Sequence, residues 1–152
     1  MPPLTDQQTR EFLIGGKHIL RLGNITPDGR PYVVPLWYDY DGEAFTVLGR
    51  QANLWIPYIE RESRVCLEFD TTEGAFIHVT APDAIAEVVD NEWLGEWEYI
   101  AVRYSGQEAG HKYYEATKHI PRVYIRITPG KFVTWTGGHT WHPRYLGSHK
   151  FK

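Results

Sequence analysis

The chain has one cysteine and one methionine in 152 residues. The lone Cys66 excludes an internal disulfide and agrees with a reducing compartment. It sits between Val65 and Leu67 with no histidine near it in sequence, so it is read as a core cysteine rather than a nucleophile. No segment approaches the ~20 apolar residues of a membrane span, and the stretch Met1 to Glu11 lacks the apolar centre of a secretory signal. The expectation is a cytoplasmic protein with no membrane partner. Basic residues are scattered, and 16 Lys and Arg against 19 Asp and Glu leave a formal net charge of −3. A nucleic-acid partner is not expected, because phosphate backbones demand a positive patch. The chain carries no Gly-x-Ser-x-Gly, Gly-x-Gly-x-x-Gly or Walker loop, which argues against elbow-type serine hydrolases and the dinucleotide and P-loop folds. His139, His142 and His149 could converge as metal ligands, but neither an acid nor a thiolate stands near them. Zinc takes three or four ligands, so no metal site is expected. Asp39 and Asp41 flank a turn, and Glu92, Glu96 and Glu98 read as a solvated polar face.

What the chain has in excess is aromatic: 14% of its residues, including six Trp and ten Tyr. Such rings bury ~150–250 Å² each and serve either a ring-packed core or the cover of a planar ligand. A chain of this length buries enough surface for a core without staples. With no repeat, low-complexity tract or linker, residues 1–152 are read as a single domain.

Thr5 and Gln8 have capping-box form, Leu4, Phe12 and Leu13 give an apolar side, and Gly15-Gly16 gives a stop, which predicts a short N-terminal helix. Strands over 18–25, 32–40 and 43–48, separated by Pro27-Asp28-Gly29 and Asp41-Gly42, read as an antiparallel meander. A helix-like stretch over 53–61 precedes an apolar strand over 65–69. A further strand over 76–89 has to bend or bulge at Pro82. Asp90 reads as the N-cap of a helix presenting Trp93, Trp97, Ile100, Ala101 and Tyr104 on one face and ending at Gly106. Residues 108–119 predict a second helix, and 123–127 and 132–136 two closing strands. More strand than helix, joined mainly antiparallel, predicts a mainly β fold, a small β-barrel with helices laid against it. The tail from residue 134 carries Trp135, Trp141, His139, His142 and Arg144. That is either a functional segment, 134–152, or an aromatic strap on the barrel.

These residues resemble a known family. The segments GNITPDGRPYVVPLWYDYDGEAFTVLG (23–49), RESRVCLEF (61–69), IAVRYSG (100–106), PRVYIRITPGKFVTW (121–135) and WHPRY (141–145) are similar to the pyridoxamine 5′-phosphate oxidase-like FMN-binding split barrels. That family also includes deazaflavin F420-dependent reductases. The resemblance covers most of the chain. It implies a split β-barrel of six to eight largely antiparallel strands and about four short helices, forming a homodimer. It further implies FMN in a groove at the subunit interface, and hydride or electron transfer to or from a small molecule.

In that frame Pro35, Leu36 and Trp37 are the floor of the cofactor ring, and Leu48, Gly49 and Arg50 line the edge leading to its phosphate. Trp135, His142 and Arg144 match a Trp, a His and a final Arg in the oxidases' tail. His142 and Arg144 are thereby the implied catalytic residues, with Trp135 and Arg144 as cofactor contacts. Thr140 stands where the oxidases' first, substrate-binding Arg would be, which argues against pyridoxamine phosphate as substrate. The oxidases' phosphate-binding Arg and Ser-Arg-Lys run correspond here to Val34 and to Asn53, Leu54 and Trp55. FMN would therefore rest on Arg50, Asn53 and backbone amides. Trp55 at the Lys position is similar to some F420-binding members, so F420 stays as the alternative cofactor. A flavin- or F420-dependent oxidoreductase and a non-catalytic flavin or small-ligand binding protein both remain open.

Overall fold

A computed structural model describes residues 3–71, 73–74 and 76–137. In chain order these form α1 (Asp6–Gly15), β1 (Leu20–Ile25), β2 (Pro31–Leu36), β3 (Asp39–Tyr40), β4 (Phe45–Gly49), α2 (Trp55–Arg61), β5 (Arg64–Thr71), β6 (Phe76–Trp93), α3 (Glu98–Ser105), α4 (Gln107–Thr117), β7 (Arg122–Thr128) and β8 (Val133–Gly137). Eight strands and four helices among the described residues agree with the mainly β expectation. The strands form one antiparallel sheet in the order β2-β1-β5-β6-β7-β4-β3, with β8 beside β6. Its ends, β2 and β3, do not pair with each other, so the barrel is split.

Local chemistry accounts for most of the boundaries. Thr5 and Gln8 close the capping box of α1, satisfying two backbone donors that the helix cannot pair itself. Gly29 and Gly42 turn their hairpins at φ 84° and 96°, where a side chain would be strained. Pro57 sits in the first turn of α2, where its missing N–H removes no helical bond. The β5–β6 register jumps from Val65↔Ala84 to Leu67↔Ala81, which is the irregularity expected at Pro82.

Three expectations need correction. The meander is broken, because β4 takes β7 as its second neighbour instead of β2; the chain turns at Trp37 and Tyr38 rather than running on as one strand. Trp93 belongs to β6, opposite Arg122 and stacked on Tyr124 at 5.3 Å. The helix starts only at Glu98, because the β6–β7 ladder outlasts the helical spacing that Trp93 happens to share. Cys66 is exposed, not core. Val65 and Leu67 take the inner face, and the period of two turns the residue between them outward.

The core is built from rings and branched chains. Tyr38, Phe45, Phe69, Leu20, Leu22, Val47, Ile125 and Ile127 are fully buried. Tyr38 donates its hydroxyl hydrogen to the Leu13 carbonyl at 2.8 Å, which satisfies its one polar atom. A second, smaller core of Trp97, Ile100, Ala101 and Tyr114 joins α3 to α4 and packs against Leu48, Trp93, Tyr104 and Tyr113. The two helices cross closely at Gly110, where a Cβ would lie 2.5 Å from the Val102 Cα. This helical pair meets the sheet through Leu48 of β4 and Arg122 of β7.

Candidate functional site

Where β2 ends, the chain turns and presents Trp37. The turn is pinned by the Tyr104 hydroxyl of α3, which accepts from Tyr38 N at 3.3 Å and donates to the His18 carbonyl at 2.9 Å. Trp37 stacks on the Tyr104 ring at 5.1 Å with only 2° between planes, and Tyr113 of α4 meets it edge-on at 6.1 Å. Leu48 lies between the inward-facing Val47 and Gly49 of β4, so alternation turns it outward beneath the helices. Together with Trp97, Ile100, Tyr113 and Arg122, the residues Trp37 and Leu48 enclose a cavity of about 70 Å³.

The polar side of this cavity is cationic. Arg50, just after β4, donates to the Tyr113 hydroxyl at 3.1 Å. Arg122, the first residue of β7, donates to the same hydroxyl at 3.5 Å and to Thr117 Oγ1 at 2.8 Å. Its guanidinium lies over the Trp97 ring, 4.2 Å from the centroid. Arg122 is only 5% exposed and its Nε has no partner. Several other arginines are paired with carboxylates, as Arg21, Arg64 and Arg126 are, while Arg10 and Arg61 donate to backbone carbonyls. Among the described residues neither Arg50 nor Arg122 has such a partner. Burial pushes the Tyr113 phenol up, but the hydrogen bonds and charges of Arg50 and Arg122 outweigh it and lower its pKa.

The residues expected at the site are therefore divided. Trp37 and Leu48 share the cavity, and Arg50 is one hydrogen bond away. Pro35 is exposed on β2, while Leu36 is half-buried against the barrel core. Gly49 is buried; a Cβ on it would meet Ile56 Cδ1 at 2.7 Å and Trp55 Cζ2 at 3.2 Å. Its missing side chain thus makes room for α2. Trp55, 3% exposed, lies in the barrel core, and Asn53 spends its side-chain oxygen on the Arg50 backbone N–H at 2.6 Å. Trp135 stands elsewhere, on β8 against Phe76 and His78. No ring contact or hydrogen bond joins it to the Trp37 cluster among the described residues. His142 and Arg144 lie outside the described residues.

Four residues of the cavity escaped the sequence reading as site residues. Trp97 and Ile100 appeared only as an apolar helix face, and Tyr113 only as part of the second helix. Arg122 alternates with the buried Val123, Ile125 and Ile127, which predicts an outward side chain. Only the distant α3–α4 pair, folding back over β7, buries it.

No protein-family model and no curated protein matches the chain. Solved structures do. An F420 reductase shares 22% identity and a TM-score of 0.63 over 81% of this chain and 94% of its own. An FAD-binding protein from Mesorhizobium loti shares 21% identity and a TM-score of 0.65 over 91% of this chain and 97% of its own. A putative pyridoxamine 5′-phosphate oxidase from Corynebacterium glutamicum shares 18% identity and a TM-score of 0.55 over 91% and 95%. Among the described residues, no helix is long and apolar enough to cross a membrane. The open antiparallel sheet, its helical cover and these likenesses agree: the chain has the split-barrel fold of the pyridoxamine 5′-phosphate oxidase-like proteins.

Proposed function

We propose that the chain is a flavin-dependent oxidoreductase acting on a small molecule as a homodimer, with FMN as cofactor and F420 as the alternative. The observation that supports this best is that Trp37, after β2, and the Leu48–Arg50 stretch at the end of β4 come together at one cavity, with Arg50 joined to it through Tyr113. Trp37, Leu48 and Arg50 are residues that the family resemblance assigns to the cofactor. The donor chemistry fits: a guanidinium with no carboxylate partner suits a phosphate, and a tryptophan backed by a stacked tyrosine offers a flat face to a ring. Gly49 leaves room for Ile56 and Trp55 of α2, so its part in this reading is its backbone.

When bound, the cofactor supplies the hydride or two-electron chemistry. The protein's part is placement and charge. Arg50 neutralises the phosphate end, Trp37 and Leu48 shield the ring edge from water, and Arg144 from the tail adds positive charge. His142 is the proton donor in this reading, since an imidazole with an ordinary pKa of about 6.5 suits proton transfer near neutrality. The second copy covers exposed apolar side chains of the sheet, among them Val33 and Ile85, 60% and 47% exposed.

The experiment takes the protein loaded with FMN or F420, adds NADPH and then electron acceptors, and records the mass by light scattering. A dimer whose cofactor is reduced and reoxidised is expected. Deleting residues 139–152 is expected to reduce turnover or cofactor affinity far more than the melting temperature. A cofactor that binds but never changes redox state would make the protein a carrier, and a tail deletion that lowers only the melting temperature would make the tail a strap.

A further inference from the structure

The cavity beneath α3 and α4 is built around an unanswered charge. Arg122 is almost wholly buried, yet its Nη2 meets only the neutral hydroxyls of Thr117 and Tyr113, and its Nε meets nothing. Buried cations are ordinarily paired, because an uncompensated charge away from water is among the costliest features a fold can carry. A buried N–H without an acceptor points the same way. Arg50 brings a second cation to the same phenol. Thus two guanidiniums converge on one neutral oxygen, beside a cavity walled by Trp37, Leu48, Trp97 and Ile100. A water molecule could answer the Nε, but not two positive charges.

We propose that this cavity is a receptor for a small oxyanion, a carboxylate or phosphate group, held by Arg122 and Arg50 with the Tyr113 hydroxyl as a further donor. About 70 Å³ admits the terminal group of a molecule and not a flavin ring. The lowered pKa of Tyr113 reports the same positive field. The oxyanion has two possible sources: the phosphate of the cofactor proposed above, or the acidic group of the molecule that exchanges electrons with it. The receptor itself does not depend on the cofactor reading.

The test is a titration of the full chain with inorganic phosphate and with acetate, ionic strength being held with chloride, followed by tryptophan fluorescence and melting temperature. Saturable changes in both readouts are expected, because Trp97 lies directly beneath the Arg122 guanidinium. Arg122→Met is expected to weaken the response by at least about tenfold, the lower end of what a hydrogen bond to a charged group provides. Tyr113→Phe is expected to weaken it less. A response that fails to saturate, or that is unchanged in Arg122→Met, overturns the proposal. If that variant does not fold, Arg50→Met and Tyr113→Phe decide, and wild-type response in both overturns it. With phosphate saturating, FMN is then added. Displacement of phosphate by FMN assigns the oxyanion to the cofactor, and simultaneous binding assigns it to a second molecule; either result upholds the receptor. Phosphate binding without any binding of FMN or F420 would sink the cofactor reading and leave the receptor standing.

Discussion

Phe45→Ala is expected to destabilise the protein by about 3–5 kcal/mol, the usual range for truncating a fully buried ring. Phe45 is 0% exposed. Its ring stacks on Tyr40 at 4.3 Å and on Phe69 at 5.1 Å, and meets Tyr38 edge-on at 5.5 Å. Removing it opens a void that these rings cannot collapse into, since each is already held by another neighbour. β4, of which Phe45 is the first residue, also carries Leu48 to the cavity. Urea unfolding measures the loss directly. A cost below about 1.5 kcal/mol, the range of a volume-conserving swap, would mean that the ring cluster is not the centre of the barrel.

Arg103→Ala is expected to cost roughly 2–4 kcal/mol, from charge-assisted hydrogen bonds of about 1.5–3 kcal/mol with a smaller cation–π contribution. The Arg103 Nη2 donates to the Gly16 carbonyl at 2.7 Å and to the Ile14 carbonyl at 2.8 Å. These are terminal carbonyls of α1 and its cap, which have no helical partner and carry the negative end of the helix dipole. The guanidinium also lies 5.3 Å from the Tyr38 ring and 5.8 Å from that of Tyr104, the ring on which Trp37 stacks. The loss should therefore appear in stability and, through Tyr104, in ligand affinity. Arg103→Lys should recover only part of it, because a compact, strongly hydrated ammonium lacks the fixed planar donors and the flat face that the guanidinium turns to Tyr38 and Tyr104. Equal stability of the Ala variant and the wild type would show that α1 is held by its apolar side alone.

How much of this was legible in the sequence depends on how local each cause is. The capping box at Thr5 and Gln8, the turns at Gly29 and Gly42 and the irregularity at Pro82 are set by residues a few positions apart, and each was read where it stands. The apolar run through Cys66 conceals which face each residue takes, and only pairing with β1 and β6 decides that. Trp93 fits a helical spacing by coincidence, and a ladder with β7, about 30 residues away, overrides it. Family resemblance named Trp37, Leu48, Gly49, Arg50, Asn53 and Trp55; the fold sets the first two at one cavity with Arg50 beside it, Gly49 against Ile56 and Trp55 of α2, and the Asn53 side chain on the Arg50 N–H. Arg122 could not be recognised because its burial is made by helices on another stretch of the chain. Its chemical meaning, a cation with no counter-charge, exists only once those helices are in place.

The measurement that bears most directly on the central reading is an equilibrium titration of the purified protein with FMN and with F420 at low and high salt, beside Arg50→Ala. The expected result is that at least one of them binds, with affinity falling as salt rises and with about 1.5–3 kcal/mol lost in Arg50→Ala, as for a hydrogen bond to a charged group. Failure of both cofactors to bind, or wild-type affinity for both in Arg50→Ala, would contradict it.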